Sequence, residues 1–266
     1  MGDYPILVMI TSTRNPKIQW IKALQTRSRR RKEDGVFVVE GVRLAEEALR
    51  SGWQIELGLV SPADDERLQR LIAALQERQI PLEEVSPTVL QAVSDTKAPQ
   101  EILLVVKHQN LPLPQKLSFV LVVDSLRDPG NLGTILRSAA AAAVDAVLIP
   151  PGSVDLTSPK VVRAAMGAHF RLPLVRLNWD EIAQVCRKHR LTVFLADAQG
   201  KVAYDQADFR RPFLLIIGGE AEGASPPARS LAHQRVFIPM PGKMESLNAA
   251  VSAAILLFEA VRQRNH

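Results

Sequence analysis

The sequence predicts an α/β protein of two domains, the second built on a parallel β-sheet with helices on both faces. The chain has 266 residues, which suits two domains of ~100–200 residues each. Short apolar runs of strand length alternate twice with segments of helical pattern. Between the two alternations lies LPLPQK, residues 111–116, whose two prolines disfavour both helix and interior strand. We therefore expect a domain over 1–110, a linker over 111–116 and a domain over 117–266.

The first hundred residues predict a small α/β unit. FVVEG, residues 37–41, predicts a strand with a turn, and VRLAEEAL predicts the helix that follows. IELGLV and EILLVVK predict two more strands. Residues 64–78 place four apolar side chains on one helical face, at spacings i, i+3, i+4 and i+7. These are Leu68, Leu71, Ile72 and Leu75.

The second alternation predicts strands that are buried on both faces. SFVLVVD, AVLIP, LTVFLAD and FLLIIGG are nearly continuous apolar runs, as in parallel sheets between helix layers. Helices are expected over 131–143, 158–167 and 180–189. The final segment, SLNAAVSAAILLFEAVRQR, is apolar on most of its circumference, which is typical of a helix buried on more than one side. A second subunit is the expected extra partner.

Composition limits the classes of protein that fit. Hydrophobic residues make up 47% of the chain, which argues against disorder, and the net charge of +5 favours a polyanionic partner. The single cysteine, Cys186, excludes an internal disulfide and a cysteine metal cluster, and it is expected to be a packed thiol. The five histidines show no metal-ligand spacing, so no metal is expected. Neither a secretory signal nor a membrane span is recognisable, and we expect a cytoplasmic protein.

The first chemically informative segment is DSLRDPGNLGTILRSA, residues 124–139. A strand ends at Asp124, and a polar loop leads into a helix for which Asn131 is the expected N-cap. Arg137 follows nearly two turns into that helix. Ligands of parallel sheets bind outside the carboxyl ends of the strands, where this loop must lie. The segment is therefore either a binding loop or an ordinary turn with a surface arginine.

The second segment is LLIIGGEAEGAS, residues 214–225. Three glycines enclose Glu220 and Glu222 directly after a buried strand. Glycines let the backbone approach a ligand closely, but the spacing matches neither the dinucleotide fingerprint nor the P-loop. A carboxylate here can accept hydrogen bonds from a sugar or an amine, or orient an arginine.

The third segment is VFIPMPGKMESLNAAVSAA, residues 236–254. A strand is expected to end at Ile238, and a proline- and glycine-containing loop enters the last helix at Ser246, the expected helix cap. Asn248 stands at the start of an apolar helix. An amide in such a place needs a polar partner.

Taken in order, these segments resemble the three motifs of the SpoU/TrmH family of RNA ribose 2′-O-methyltransferases. The matching patterns are N-x-x-x-x-x-R, G-G-E-x-E-G and I-P-M-x-G-x-x-E-S-L-N. TRNPKIQWIKAL and FVVEGVRLAEEAL resemble the N-terminal substrate-binding domain of that family. The sequence departs from the family pattern at Val144, where a glycine often closes the first motif. This change is expected to affect the turn after the helix and not the chemistry.

The resemblance implies a C-terminal domain with a deep trefoil knot that binds S-adenosylmethionine, and a homodimer formed through the last helix. It implies a cofactor pocket made by Leu195, Ala196, Gly218, Gly219, Ile238, Met240 and Leu247. It implies a catalytic set of Arg137, Asn131, Glu220, Ser246 and Asn248. Whether Arg137 is the base or an electrostatic stabiliser stays open, because a guanidinium has a pKa above ~12 and rarely loses its proton.

RNA binding has independent support in QTRSRRRKEDG, where five of six consecutive residues are basic. The alternative is a solvated charged turn. With the resemblance, the expected RNA-contacting residues are Arg14, Lys17, Arg27, Arg29, Arg30, Arg31, Lys32 and Arg127. The expected function is methylation of a ribose 2′-hydroxyl in structured RNA, above all large-subunit ribosomal RNA. The alternatives are a transfer-RNA ribose or base methyltransferase of the same knotted class, and a catalytically silent RNA-binding module.

Overall fold

The computed structural model describes residues 9–96, 98–219, 223–242 and 244–265, which form two compact units. The first unit contains the described residues as far as Gln109 together with Thr157–Phe170. The second contains Asn110–Leu156 and the residues from Arg171 onward. The division near residue 110 lies next to the predicted linker. The segment Thr157–Phe170 is grouped with the first unit, although its place in the chain lies within the predicted second domain, and the predicted domain limits stay a prediction.

The strands alternate with helices along the described chain. They are β1 (Val36–Glu40), β2 (Ile55–Val60), β3 (Leu82–Glu84), β4 (Ile102–Lys107), β5 (Phe119–Val123), β6 (Ala146–Ile149), β7 (Leu174–Arg176), β8 (Thr192–Ala196), β9 (Val202–Ala203), β10 (Phe213–Ile217) and β11 (Gln234–Phe237).

The α-helices cover both units. They are α1 (Pro16–Thr26), α2 (Ser28–Asp34), α3 (Val42–Ser51), α4 (Glu66–Glu77), α5 (Pro87–Val93), α6 (Pro129–Ala141), α7 (Pro159–Ala165), α8 (Trp179–His189), α9 (Pro226–Leu231) and α10 (Ala249–Arg264). Each strand and helix expected from the sequence is present, with ends that differ by a few residues at most. Helix α1 and the short elements β3, β7, β9, α2, α5 and α9 were not expected.

The first unit is a four-stranded sheet in the order β1–β4–β2–β3, with helices packed on it. Strand β4 runs antiparallel to β1 and β2, while β3 runs parallel to β2. Helix α1 begins where the Asn15 side chain accepts a hydrogen bond from Lys17 N, with Pro16 in its first turn. Its fully buried Ile18, Ile21 and Leu24 join one core cluster with side chains of the sheet and of α5.

The second unit is the predicted parallel sheet, with seven strands in the order β7–β6–β5–β10–β8–β11–β9. All of its strand pairs are parallel. Strand β10 lies between β5 and β8, so its last residue, Ile217, pairs with Val123 and Ala196. The segments that leave these three strands therefore emerge at the same edge of the sheet. The trefoil knot implied by the resemblance stays a prediction.

Two predicted helix caps are wrong, each by a few residues. Helix α6 begins at Pro129, and its N-cap is Asp128, whose carboxylate accepts a hydrogen bond from Asn131 N at 2.7 Å. Asn131 is thus inside the first turn, because proline suits that turn and aspartate is as good a cap as asparagine. Helix α10 begins at Ala249 with Asn248 as its N-cap, and Ser246 lies in the loop before it. None of the described helices is long and apolar enough to cross a membrane.

We expect the Cys186 thiol to resist alkylation in the folded protein. Burial raises the pKa of Cys186 to about 11, so the reactive thiolate is scarce at neutral and mildly alkaline pH. The burial of the neutral thiol stabilises the fold fully below ~8.5, the pKa of unfolded cysteine. That stabilisation is lost as the pH rises through 11. Mass spectrometry after iodoacetamide treatment at pH 8 should show labelling only when denaturant is present.

Candidate active site

A cavity of about 410 Å³ lies at the carboxyl edge of the parallel sheet. Its walls come from the residues that follow β8, β10 and β11 and from the first turns of α10. Glycine backbone and apolar side chains such as Ile238, Met240 and Leu247 make up much of the lining. The volume falls in the range of small-molecule sites, ~300–1,000 Å³. The cavity therefore has the size and the position expected of a ligand site in an open parallel sheet.

The glycines after β10 are needed because the backbone is crowded on both sides of them. A Cβ on Gly218 would lie 2.6 Å from Ala224 N, and one on Gly219 would lie 2.6 Å from Ser125 O. Gly219 N also donates a hydrogen bond to Gly223 O at 3.2 Å, which closes the base of the loop. Ser125 itself has a positive φ of 54°. The close contact between Gly219 and Ser125 therefore lies at a strained backbone position. These contacts shape one wall of the cavity.

Asp124 joins the first motif to the second, a role that the sequence did not reveal. Its side chain is fully buried at the end of β5. One carboxylate oxygen accepts a hydrogen bond from Ser225 N at 2.6 Å, and the other accepts one from Ser125 Oγ at 3.0 Å. A buried carboxylate is costly unless it is hydrogen-bonded in this way. Its position directly after a buried strand was the available signal.

A pair of amides joins the first motif to the third. Asn248 Nδ2 donates to Asn131 Oδ1 at 3.0 Å. Asn248 Oδ1 accepts hydrogen bonds from Ala250 N and Val251 N at the start of α10. The Asn248 side chain therefore has the polar partners that an amide at the start of an apolar helix needs. This pair links α6 to α10, which also pack on each other.

The structure brings most of the predicted cofactor residues together. The cavity lining includes Ala196, Gly218, Gly219, Ile238, Met240 and Leu247. Leu195 is absent from that lining, and its assignment to the cofactor site stays a prediction. Side chains alternate between the two faces of a strand, and Leu195 is fully buried in the core cluster with Val193 and Ile216.

The predicted catalytic residues are only partly assembled around the cavity. Ser246 and Asn248 line it, and Asn131 reaches it through Asn248. Arg137 lies on the exposed face of α6 and is not part of the lining. Glu220 lies outside the described residues. Two further lining residues, Asp197 and Arg229, were not expected, although Asp197 directly follows a buried strand as Asp124 does.

The predicted RNA-contacting residues are exposed with one exception. Arg31 is only 5% exposed, and its guanidinium donates a hydrogen bond to Leu24 O at 2.6 Å. It is directed into the first unit because it stands on the inner side of α2, so it is removed from the RNA-contacting set.

The other predicted RNA-contacting residues are exposed, and some form ion pairs. Arg29 and Arg30 form ion pairs with Glu33 and Asp34 one turn along the helix. The remaining members are exposed, with Lys17 paired to Glu83. They are Arg14, Lys17, Arg27, Lys32 and Arg127.

The described residues contain no group of three or more His, Cys, Asp or Glu side chains arranged to hold a metal ion. The site instead combines a parallel sheet, a glycine loop at its carboxyl edge and a cavity lined by both apolar and polar groups. These features define an α/β protein that binds a small molecule at the carboxyl ends of its strands.

Comparison with known proteins assigns the family. Residues 118–258 match the SpoU rRNA Methylase family, and residues 15–104 match the MRM3-like substrate binding domain. The chain belongs to the SpoU rRNA Methylase family. The resemblance found in the three motifs is therefore confirmed, as is the α/β class with its parallel-sheet second domain.

Relatives match over nearly the whole chain. The 23S rRNA (guanosine(2553)-2′-O)-methyltransferase RlmP of Bacillus subtilis is 34% identical over 94% of this chain and 97% of its own. The 23S rRNA (uridine(2479)-2′-O)-methyltransferase of Streptomyces viridochromogenes is 33% identical over 98% and 94%. The crystal structure of the SpoU methyltransferase AviRb from Streptomyces viridochromogenes, in complex with AdoMet, gives a TM-score of 0.85 at 31% identity, covering 95% of this chain and 99% of that one.

Proposed function

We propose that this protein transfers a methyl group from S-adenosylmethionine to a ribose 2′-hydroxyl of large-subunit ribosomal RNA. The observation that carries the proposal is that the second and third motif segments line one cavity, and that Asn248 in this lining is hydrogen-bonded to Asn131 of the first motif. The family match supports the reaction class. The names of the two relatives, both 23S rRNA 2′-O-methyltransferases, support the substrate class.

The cavity fits S-adenosylmethionine in size and in chemistry. The close backbone at Gly218 and Gly219 offers peptide groups to a ligand without side-chain obstruction. Ile238, Met240 and Leu247 give apolar surface for an adenine ring. When bound, the cofactor supplies a methyl group already activated on a sulfonium, so the reaction needs no metal. The residues that would hold it are Ala196, Gly218, Gly219, Ile238, Met240 and Leu247.

Transfer breaks the bond from sulfur to the methyl carbon, forms one from the 2′-oxygen to that carbon, and releases the hydroxyl proton. The role that we assign to Arg137 is stabilisation of the developing negative charge on the 2′-oxygen. A guanidinium is a cationic hydrogen-bond donor with no acceptor atom, and such donors act most strongly where negative charge develops. A phosphate of the RNA, or water, takes the proton. The Asn131–Asn248 bond fixes α6 against α10 and so helps to position Arg137.

The ribose is the natural target because the two relatives are named for 2′-O-methylation of nucleosides that carry different bases. Their names specify a guanosine and a uridine. Those nucleosides share the ribose and not the base edge, so a common mechanism requires contacts with the sugar. Glu220 and Ser246 stay in the proposed set as residues that orient the ribose or Arg137.

We expect the exposed basic residues of the α1–α2 region to contribute most of the salt dependence of RNA binding. The double variant Arg27→Gln, Lys32→Gln should weaken RNA affinity. It should also lower the slope of log affinity against log salt by ~0.7–0.9 for each RNA phosphate that the variant no longer neutralises. Filter binding at several salt concentrations measures this. Arg31→Gln is the control: it should destabilise the fold and leave the slope unchanged, because Arg31 is buried.

We propose that the exposed apolar face of α10 forms a homodimer interface. Val251 and Phe258 are 48% and 49% exposed and lie two turns apart on one side of the helix, and Leu247, 38% exposed, precedes them. Phe258→Asp should convert a dimer into a monomer in sedimentation velocity runs at micromolar concentration. Arg187→Gln, at an exposed position on α8 rather than α10, should leave the dimer intact. A wild-type monomer, or a Phe258→Asp dimer, would contradict the proposal.

A test of the substrate class compares purified ribosomal RNA with purified transfer RNA, both from a host that lacks this gene. Label from methyl-tritiated S-adenosylmethionine should enter the ribosomal RNA. Label in transfer RNA alone would favour the first alternative, a transfer-RNA methyltransferase. RNA binding without any label would favour the silent binding module. The predicted cytoplasmic location stays a prediction, since the relatives include bacterial proteins and several named as mitochondrial.

A further inference from the structure

Two side chains of opposite charge line the cavity. Among its described lining residues, Asp197 and Arg229 are the charged ones, and the others are glycine, apolar or neutral polar. Arg229 Nη1 lies 3.4 Å from Asp197 Oδ2. The pair therefore gives the cavity one anionic and one cationic group side by side.

Both side chains are held in place by the backbone around them. Asp197 directly follows β8, and its Oδ1 accepts a hydrogen bond from Gln199 N at 3.0 Å. The backbone N–H of Asp197 donates a hydrogen bond to Val236 O at 2.9 Å, and the Asp197 side chain is only 13% exposed. Arg229, on α9, donates from Nε to Ala224 O at 3.1 Å. The positions of the two charges are thus largely set before any ligand arrives.

We propose that Asp197 and Arg229 bind the amino-acid end of S-adenosylmethionine, an inference that rests on the proposed function. That end is a zwitterion, and an ion pair offers it a carboxylate for the ammonium and a guanidinium for the carboxylate. A guanidinium has five N–H donors, of which the contacts to Ala224 and Asp197 use two. A carboxylate accepts up to about four hydrogen bonds. The apolar remainder of the cavity suits the adenosyl part.

Ligands that lack parts of the zwitterion test this assignment by isothermal titration calorimetry. We expect Arg229→Gln to weaken S-adenosylmethionine binding roughly tenfold to a hundredfold. A loss of this size is usual when one charge-assisted hydrogen bond is removed. The same variant should bind 5′-methylthioadenosine, which has no amino-acid part, as the wild type does. Decarboxylated S-adenosylmethionine should bind equally to both proteins. Asp197→Asn should weaken S-adenosylmethionine and its decarboxylated form alike.

Arg235→Gln is the matched control. Arg235 Nη1 lies 3.8 Å from the same Asp197 oxygen, but Arg235 is not part of the cavity lining. It should leave all three affinities unchanged. Equal losses of affinity for S-adenosylmethionine and 5′-methylthioadenosine in Arg229→Gln would show that the ion pair only maintains the shape of the cavity. That result would overturn the assignment. If the wild-type protein bound none of the ligands, the proposed function would fail and the assignment with it.

Discussion

Arg137→Ala is expected to lower the rate of methyl transfer by at least ~10²–10³-fold, the usual cost of removing one preorganised donor from a developing oxyanion. S-adenosylmethionine binding should be unchanged, because Arg137 is exposed on α6 and lies outside the cavity lining. The fold should also be unaffected, since the core face of α6 consists of other side chains. They are Leu132, Gly133, Ile135, Leu136 and Ala139.

Single-turnover assays with saturating cofactor and RNA measure this effect apart from binding. Arg137→Lys keeps the charge but loses the planar set of donors, so it should recover only part of the rate. Thr134→Ala is a matched control on the same helix, where the exposed hydroxyl bonds only to Gly130 O among the described contacts. A rate for Arg137→Ala within tenfold of the wild-type rate would show that Arg137 does not take part in the methyl-transfer step.

Gly218→Ala should have the largest effect on cofactor binding. The added Cβ would lie 2.6 Å from Ala224 N and 2.8 Å from Gly223 C, both backbone atoms. Contacts this short force the loop to move, and overpacking of this kind costs ~1–3 kcal/mol. Because Gly218, Gly223 and Ala224 all line the cavity, the movement changes its shape. We expect S-adenosylmethionine affinity to fall by about tenfold or more.

Calorimetric titration of the cofactor tests this expectation, with thermal unfolding recorded in parallel. Gly242→Ala is the control, because a Cβ at Gly242 meets no atom within 4 Å. It should bind the cofactor as the wild type does. Full affinity in Gly218→Ala would mean that the loop relaxes freely and that its close packing does not shape the site.

The sheet and the site were predictable where the relevant pattern is local. Strands β5 and β10 are buried along their whole length, and their apolar runs predicted this because no polar face is needed between two helix layers. The second and third motifs contain most of the residues that line the cavity. Their meeting at one edge follows from parallel pairing, since the carboxyl ends of neighbouring strands lie together.

Local sequence patterns are less informative where a single residue decides the direction of a side chain. The basic run predicted five exposed cations, but α2 turns Arg31 inward onto Leu24 O. Leu195 and Ala196 stand on opposite faces of β8, and only Ala196 lines the cavity. The caps of α6 and α10 differ from the expected ones because several nearby residues could each cap a helix.

Contacts between distant parts of the chain could not be predicted from local patterns. Asp124 and Ser225 are 101 residues apart in sequence and 2.6 Å apart at the hydrogen bond. Asn131 and Asn248 are 117 residues apart. Such partners are set by the order of strands in the sheet, on which composition and periodicity carry no information. The pairing of Arg229 with Asp197 has the same origin.

The central claim is that the methyl group goes to a ribose 2′-oxygen. Its most direct test is nucleoside analysis of ribosomal RNA, from a host that lacks this gene, after incubation with the protein and methyl-labelled S-adenosylmethionine. Complete digestion followed by mass spectrometry separates 2′-O-methylnucleosides from base-methylated ones. We predict label in one 2′-O-methylnucleoside, and an initial rate of labelling at least ~10²–10³-fold lower with Arg137→Ala. Label on a base, or an unchanged initial rate with that variant, would contradict the proposed reaction.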